Sequence, residues 1–167
     1  MIQVYTGNGK GKTTAALGLA LRAVGAGKKV YICQFLKGKY CCELITLKKL
    51  KNIKIEQFGS KCFLRKAPTL KDKELAKKAL LAARRAIKGK IHGMIILDEI
   101  NVALQLNLIR VDDVLQLLKT IPQDKEIILT GRHAPAEILK IADLVSEIKE
   151  VKHYFRKGTK GRKGIEY

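Results

Sequence analysis

The sequence predicts a single α/β domain with a mostly parallel sheet and helices on both of its faces. Short apolar runs alternate along the chain with segments of helical periodicity, which is typical of parallel sheets rather than of separate layers. A glycine-rich segment joins the first apolar run to the first helical pattern. The 167 residues, 47% of them hydrophobic, suit one domain over 1–167 with a sizeable core.

Each element follows from a local pattern. The first helix is expected to stop at Gly25 and Gly27, and Pro68 and Thr69 introduce a long helix with one apolar face. A polar stretch separates the second strand from the third. The first predicted strand contains Ile2, Val4 and Tyr5 and ends before the loop that begins at Thr6. The other predicted strands cover 29–35, Ile53–Phe58, 94–97, Glu126–Thr130 and 144–149. The predicted helices cover about 12–26, a segment after Thr69, 111–119 and a segment from about Pro135.

The segment between the first strand and the first helix has the composition of a phosphate-binding loop. Its glycines can adopt positive φ and let backbone N–H groups approach an anion at the helix N-terminus. Lys12 supplies a cation, and the Thr13 hydroxyl can bind Mg²⁺. We therefore predict a three-layer P-loop domain whose triphosphate site comprises Gly7, Asn8, Gly9, Lys10, Gly11, Lys12, Thr13 and Thr14.

The spacing of this loop differs from the usual P-loop. Thr6 stands where the first glycine of that pattern is expected, and the spacing counted from Gly7 is one residue tighter. A nucleotide is therefore expected to sit differently from the common GTPase arrangement. The alternative is a surface turn that carries a lysine, which the order of strand, glycines, Lys-Thr and helix disfavours.

The apolar run 94–97 ends in Asp98 and Glu99, as expected of a buried strand that delivers carboxylates to the edge of a sheet. Mg²⁺ prefers few protein oxygens together with substrate oxygens, so a site formed by Thr13, Asp98 and Glu99 is predicted. In the alternative interpretation the acid pair only caps a helix over 100–106.

Two further segments are expected near this edge. Arg132 follows the strand Glu126–Thr130 and could contact a phosphate or an anionic second substrate, although a surface arginine without a role fits equally well. The basic C-terminal segment contains spaced glycines, which suit either an ordered lid or a flexible end.

The net charge of +19 would attract phosphates, nucleic acid or acidic lipid headgroups. Only 5% of residues are aromatic and the lysines are spread along the chain, so a solvated surface is favoured over a nucleic-acid site. The four cysteines lack paired C-x-x-C spacing and are predicted to be reduced thiols. No apolar stretch of membrane-spanning length or leader pattern is found, so a cytoplasmic location without membrane insertion is expected.

Several blocks together resemble the P-loop ATP:corrinoid adenosyltransferases. They are Thr6–Thr14 with the following Ala-Ala-Leu-Gly, Leu-Asp-Glu-Ile-Asn over 97–101, Thr-Gly-Arg over 130–132, Ala-Asp-Leu-Val-Ser-Glu over 142–147 leading to Lys152-His153, and the final Gly-Ile-Glu-Tyr. The tighter loop spacing is also this family's own form. The resemblance covers nearly the whole chain and implies a RecA-like fold, a homodimer, a flavoprotein-type reductant, and ATP with cob(I)alamin or another corrinoid as substrates.

The implied reaction transfers the 5′-deoxyadenosyl group of ATP to the Co(I) centre of a corrinoid and releases triphosphate, in adenosylcobalamin synthesis or salvage. Lys12 and Glu99 are the implied catalytic residues, with Mg²⁺ stabilising the leaving group. Phe63, Arg65, Arg132 and His153 are the predicted residues for the corrinoid or a second substrate. Arg65 stands where the family commonly has tryptophan, and Arg162-Lys163 where it usually has Ala-Gln.

Two other classes of function stay open at this stage. The net charge and the basic residues in 157–163 also suit a P-loop ATPase that acts on nucleic acid, which would bind single-stranded oligonucleotides in a salt-dependent way. A regulatory module without turnover would bind ATP but no corrinoid.

Overall fold

Strands and helices alternate along the chain, as the sequence predicts. The computed structural model describes residues 1–38, 41–60 and 67–167. Its elements in chain order are β1 (Ile2–Thr6), α1 (Lys12–Gly25), β2 (Val30–Phe35), α2 (Cys42–Leu47), β3 (Ile53–Phe58), α3 (Leu70–Lys88), β4 (Met94–Asp98), α4 (Ile100–Gln105), α5 (Val111–Leu118), β5 (Glu126–Thr130), α6 (Ala136–Ile141), β6 (Leu144–Glu147) and a short 3₁₀ helix (Tyr154–Lys157).

The six strands form one sheet in the order β3-β2-β4-β5-β1-β6, and every neighbouring pair is parallel. The chain therefore forms a single α/β domain, consistent with the predicted three-layer P-loop fold. The order brings β4 between β2 and β5, and β1 between β5 and β6. Because parallel strands end at the same edge, the segments that follow β1, β2, β4 and β5 lie side by side.

The two faces of the sheet bury two separate apolar clusters. On one face Ile32, Ile96 and Ile128 pack with the small residues of α1, and Leu47 of α2 joins them. On the other face their strand neighbours, among them Cys33 and Leu97, pack with α3, α4, α5 and α6. This alternation is the two-residue period of strands that are covered on both sides.

A local signal explains the start of the longest helix, whereas another helix has no such signal. Thr69 and Asp72 form a reciprocal capping box that starts α3, as the Pro68-Thr69 pair predicts. The helix α2 was not predicted, since its sequence was interpreted as part of a polar stretch. Its buried residues Leu44 and Leu47 fix it against the domain, but six residues are too few for a helical period to stand out. The last strand stops at Glu147, two residues before its predicted end.

Two predictions made from composition, on the cysteines and on membrane-spanning segments, can be compared with the structure. Cys33 is fully buried, and burial raises the pKa of its thiol to about 12. Cys62 lies outside the described residues. Within the described ranges, no helix has both the length and the apolar character needed to cross a lipid bilayer.

Candidate functional site

The residues directly after two central strands adopt left-handed backbone conformations. Leu36, directly after β2, has φ 59°, and Glu99, directly after β4, has φ 62°. Such conformations cost free energy in residues with a side chain and cluster at functional sites. Both turns carry polar side chains to the same edge of the sheet as the glycine loop after β1.

Steric contacts with the segment after β6 explain the glycines of this loop. The Gly9 N–H donates to the Ile148 carbonyl at 2.7 Å. A Cβ on Gly9 would lie 2.7 Å from the Ile148 and Lys149 carbonyl oxygens, and one on Gly7, where φ is 96°, would lie 2.5 Å from that of Ile148. No side chain fits in either place. The loop is therefore held against β6 while it curves around the start of α1.

Lys12 folds over the inside of the loop. Its ammonium donates to the Gly7 and Gly9 carbonyl oxygens, both at 2.7 Å, and the residue is only 8% exposed. Burial, followed by the charge of Arg132, lowers the pKa of Lys12, while the charge of Glu99 acts in the opposite direction. Lys12 thus lies at the centre of the loop, as predicted.

Asp98 is buried at the end of β4 and accepts four hydrogen bonds. Its Oδ1 accepts from the hydroxyls of Thr13 at 2.8 Å and Thr130 at 2.6 Å, and its Oδ2 accepts from the Gln34 amide at 3.1 Å and the Lys37 ammonium at 2.7 Å. Burial alone would raise the pKa of Asp98, but the charge of Lys37 and these hydrogen bonds lower it. The four donors use the lone-pair positions of the carboxylate.

Glu99 lies in a different environment from its neighbour. Its backbone N–H donates to the Thr130 hydroxyl at 3.0 Å, which fixes the left-handed turn. Burial and then the charge of Asp98 raise the pKa of the Glu99 carboxyl, against the charges of Lys37, Lys12 and Arg132. Within the described residues its carboxylate accepts no hydrogen bond, so its oxygens are available to a ligand.

Arg132 is held at the same edge by a tight turn after β5. Gly131 has φ 132°, and a Cβ there would lie 3.0 Å from that of Asn101. The buried Asn101 amide donates to the Gly131 carbonyl at 3.3 Å and so fixes the turn against α4. The side chain of Arg132 is exposed on the wall of the site.

These segments border one cleft of about 850 Å³. Of the predicted residues, the structure brings Gly9–Thr14, Glu99, Arg132 and His153 to its walls, whereas Gly7, Asn8 and Asp98 do not line it. Phe63 and Arg65 lie outside the described residues. Apolar side chains of α1 and α4, among them Leu17, Leu21 and Val102, give the cleft a second, less polar wall.

The C-terminal segment forms the rim of the cleft next to the glycine loop. The Lys10 ammonium donates to the Ile165 carbonyl at 2.7 Å and lies 3.5 Å from the Glu166 carboxylate. Glu166 also accepts hydrogen bonds from Arg162 and Tyr154, which lower the pKa of its carboxyl to about 2. These contacts place Ile165 and Glu166 beside Lys10 of the glycine loop.

Sequence reasoning missed two features of this site. One is Lys37, which contacts Asp98 and also donates to the Thr13 hydroxyl at 3.3 Å. The other is the contact between Lys10 and Glu166, which joins opposite ends of the chain. The only available signal for Lys37 was its place just after a buried strand, where a side chain reaches the edge of a parallel sheet.

Comparison with known proteins decides the family. The model of the family ATP:corrinoid adenosyltransferase BtuR/CobO/CobP matches residues 1–167. The chain belongs to this family. It is 35% identical over 167 residues to the corrinoid adenosyltransferase of Escherichia coli strain K12, covering all of this chain and 85% of that protein.

Two other family members are similar over the same extent. The corrinoid adenosyltransferase CobA of Salmonella typhimurium is 34% identical over 167 residues, which cover all of this chain and 85% of the relative. The corrinoid adenosyltransferase of a Sinorhizobium species is 34% identical over 180 aligned positions, which cover all of this chain and 80% of the relative. ATP and a corrinoid are thus the substrates that the family implies, and the resemblance stated from the motifs is confirmed.

Proposed function

We propose that this chain is an ATP:corrinoid adenosyltransferase that acts in adenosylcobalamin synthesis or salvage. The observation that carries the proposal is the cleft in which the glycine loop, Lys12 and Glu99 lie beside Arg132 and His153, in a chain that matches the family over its full length. In the transfer, the electron pair of Co(I) forms a bond to the ribose 5′-carbon. The C5′–O bond breaks, and its electron pair leaves with the triphosphate.

The glycine loop and its lysines are the groups that stabilise this leaving group. Negative charge develops on the triphosphate as the C5′–O bond breaks, and pre-positioned N–H groups and cations in a secluded cleft stabilise such charge strongly. Lys12 is placed to donate from the centre of the loop and Lys10 from its rim. No proton is removed in the alkylation, so no side chain is needed as a general base.

Mg²⁺ is part of the proposal because the donor set suits it. The Thr13 hydroxyl and the Glu99 carboxylate are hard oxygen donors at the cleft, and Mg²⁺ combines few protein oxygens with phosphate oxygens. When bound, the ion would neutralise charge on the triphosphate. Asp98 would act through Thr13, because its own acceptor positions are already used.

The corrinoid would lie at the open side of the cleft, near Arg132 and His153. His153 is partly buried, and its Nδ1 accepts from the Phe155 N–H at 3.1 Å, which orients the ring at the wall of the cleft. Phe63 and Arg65 stay predictions for the same substrate. A homodimer, a flavoprotein-type reductant and a cytoplasmic location are further parts of the proposal that rest on the family resemblance.

A single assay tests the central proposal. The purified protein is mixed anaerobically with chemically reduced cob(I)alamin and Mg-ATP, and the Co(I) absorbance is followed together with the light sensitivity of the product. We expect a light-sensitive product and intact triphosphate. Lys12→Ala should lose about 3 kcal/mol of transition-state stabilisation, or about a hundredfold in rate, by analogy with the loss of one oxyanion donor.

The outcomes separate the candidate functions. ATP binding without any adenosylated product, with cobalamin and with other corrinoids, would refute the proposal and favour the regulatory module. Salt-dependent binding of an oligonucleotide that stimulates phosphate release would favour the nucleic-acid ATPase.

A further inference from the structure

Lys37 lines the cleft and contacts Asp98 and Thr13, but it has no role in the proposed adenosyl transfer. We propose that Lys37 is a resident cation of the predicted metal site, which compensates the buried Asp98 and competes with Mg²⁺ for the Thr13 hydroxyl. The inference rests on the metal site of the proposed function. It goes beyond that function because it assigns to Lys37 an effect on the affinity of the metal.

The first argument is the direction of the hydrogen bonds. The Thr13 hydroxyl donates its only proton to Asp98, so its lone pairs point away from that carboxylate. The Lys37 ammonium donates to this oxygen at 3.3 Å. A metal bound to Thr13 must use one of the two lone pairs of this oxygen, and Lys37 already occupies one of them, so the two cations compete for one small oxygen.

The second argument is the charge of Asp98. Its side chain is 1% exposed, and Lys37, whose side chain is 18% exposed, is its only cationic partner among the described residues. The other three donors to Asp98 are neutral. A buried carboxylate without a counter-charge is unstable, so Lys37 is expected to keep its 2.7 Å contact with Asp98 even when it releases Thr13.

The third argument is the position of Lys37 on the wall of the cleft. A divalent ion on Thr13 would lie close to the retained ammonium, and two cations at such a distance repel each other. The triphosphate brings enough negative charge to offset both. Mg²⁺ is therefore expected to bind weakly alone and tightly with ATP, and Lys37 would then face the metal-bound phosphates.

The test measures metal binding without any corrinoid. Mn²⁺ serves as a paramagnetic probe, and its free concentration is followed by electron paramagnetic resonance. In the wild type, a non-reactive ATP analogue should tighten Mn²⁺ binding at least about tenfold, after subtraction of the Mn²⁺ that the analogue binds in protein-free buffer. In Lys37→Gln, which keeps a hydrogen-bond donor for Asp98 but no charge, Mn²⁺ without nucleotide should bind at least about tenfold more tightly than in the wild type.

Two variants control for charge and position. Lys37→Arg retains the charge and should keep the weak binding of the wild type. Lys54 lies outside the cleft, with its ammonium 3.5 Å from the Glu56 carboxylate. Lys54→Met therefore removes a comparable lysine and should leave the Mn²⁺ affinity unchanged. In addition, 5 mM Mg²⁺, a concentration of the order used with nucleotides, should raise the melting temperature of Lys37→Gln more than that of the wild type, because the ion replaces the missing charge.

Each result has a definite meaning. Equal Mn²⁺ affinity in wild type and Lys37→Gln, or tight binding to the wild type without nucleotide, overturns the role of Lys37 and leaves adenosyl transfer untouched. Should Lys37→Gln not fold, tight Mn²⁺ binding to the wild type without nucleotide still overturns the proposal. Absence of Mn²⁺ binding to either protein even with the analogue would refute the metal site of the proposed function itself.

Discussion

Replacement of Asp98 by asparagine tests the hydrogen-bond network at the end of β4. Asparagine has nearly the same shape but only one acceptor oxygen, and its amide nitrogen must face two of the four donors. The Lys37 ammonium, 2.7 Å from the carboxylate, also loses its counter-charge. Removal of one partner of a buried ion pair costs about 3–5 kcal/mol, and one kcal/mol shifts the melting temperature of a domain of this size by about 2–4 °C.

We therefore expect Asp98→Asn to melt at least about 6 °C below the wild type at pH 7 by circular dichroism. Asp112→Asn is the matched control, because Asp112 and Arg110 form an ion pair of similar length, 2.9 Å, but with both side chains exposed. Such a pair contributes at most about 1 kcal/mol. Equal shifts in the two variants would refute the argument that burial makes the Asp98 network important.

The pH dependence provides an independent check on the same residue. The pKa of Asp98 is lowered in the folded protein, so the folded state retains the charged form to a lower pH than the unfolded chain. Its stabilising contribution is full above the pKa of an unfolded aspartate, about 3.9, and is lost as the pH falls through the folded value. The difference in melting temperature between wild type and Asp98→Asn should thus shrink between pH 5 and the acid limit. A constant difference would contradict the assigned direction.

Two further variants test the loop and its rim. Gly9→Ala places a Cβ 2.7 Å from two carbonyl oxygens, so this variant should lose the ATP-dependent rise in melting temperature. In the control Gly25→Ala, the new Cβ meets no atom within 4 Å, so the rise should be retained. The same rise in both variants would refute the steric argument. Glu166→Gln removes the negative charge that pairs with both Lys10 and Arg162, so limited trypsin digestion should cleave faster near residue 162. Because these ion pairs are exposed, the melting temperature should stay within about 2 °C of the wild-type value. Unchanged cleavage would show that these ion pairs do not hold the segment.

Sequence reasoning located the structural features that depend on neighbours along the chain. The glycine loop, Lys12 and Thr13 are adjacent residues between a strand and a helix, and their chemistry follows from that order. The pair Asp98 and Glu99 was found because two carboxylates directly after a short apolar run mark the end of a buried strand. The bounds of β2, β4 and β5 were predicted to within one residue, since apolar runs buried on both faces stand out from their polar flanks, whereas the exposed β6 was predicted two residues too long.

The missed features depend on contacts between distant segments. Lys37 becomes a partner of Asp98 only because β2 lies next to β4, and the alternation of elements does not reveal this strand order. Glu166 reaches Lys10 from the other end of the chain. Neither contact has a local pattern, because a lysine after a strand and a glutamate in a basic segment are common on any surface.

The adjacent carboxylates of Asp98 and Glu99 illustrate this division between local and distant information. From the sequence, both residues are predicted as ligands of the metal site, and nothing in the sequence distinguishes their roles. Asp98, the last residue of β4, points into the network of buried donors, whereas the left-handed turn at Glu99 takes the next side chain to the wall of the cleft. One carboxylate therefore orders the groups around it, and the other is available to a ligand. That difference arises from one backbone conformation, and its cost is what we expect of a position whose geometry serves function rather than stability.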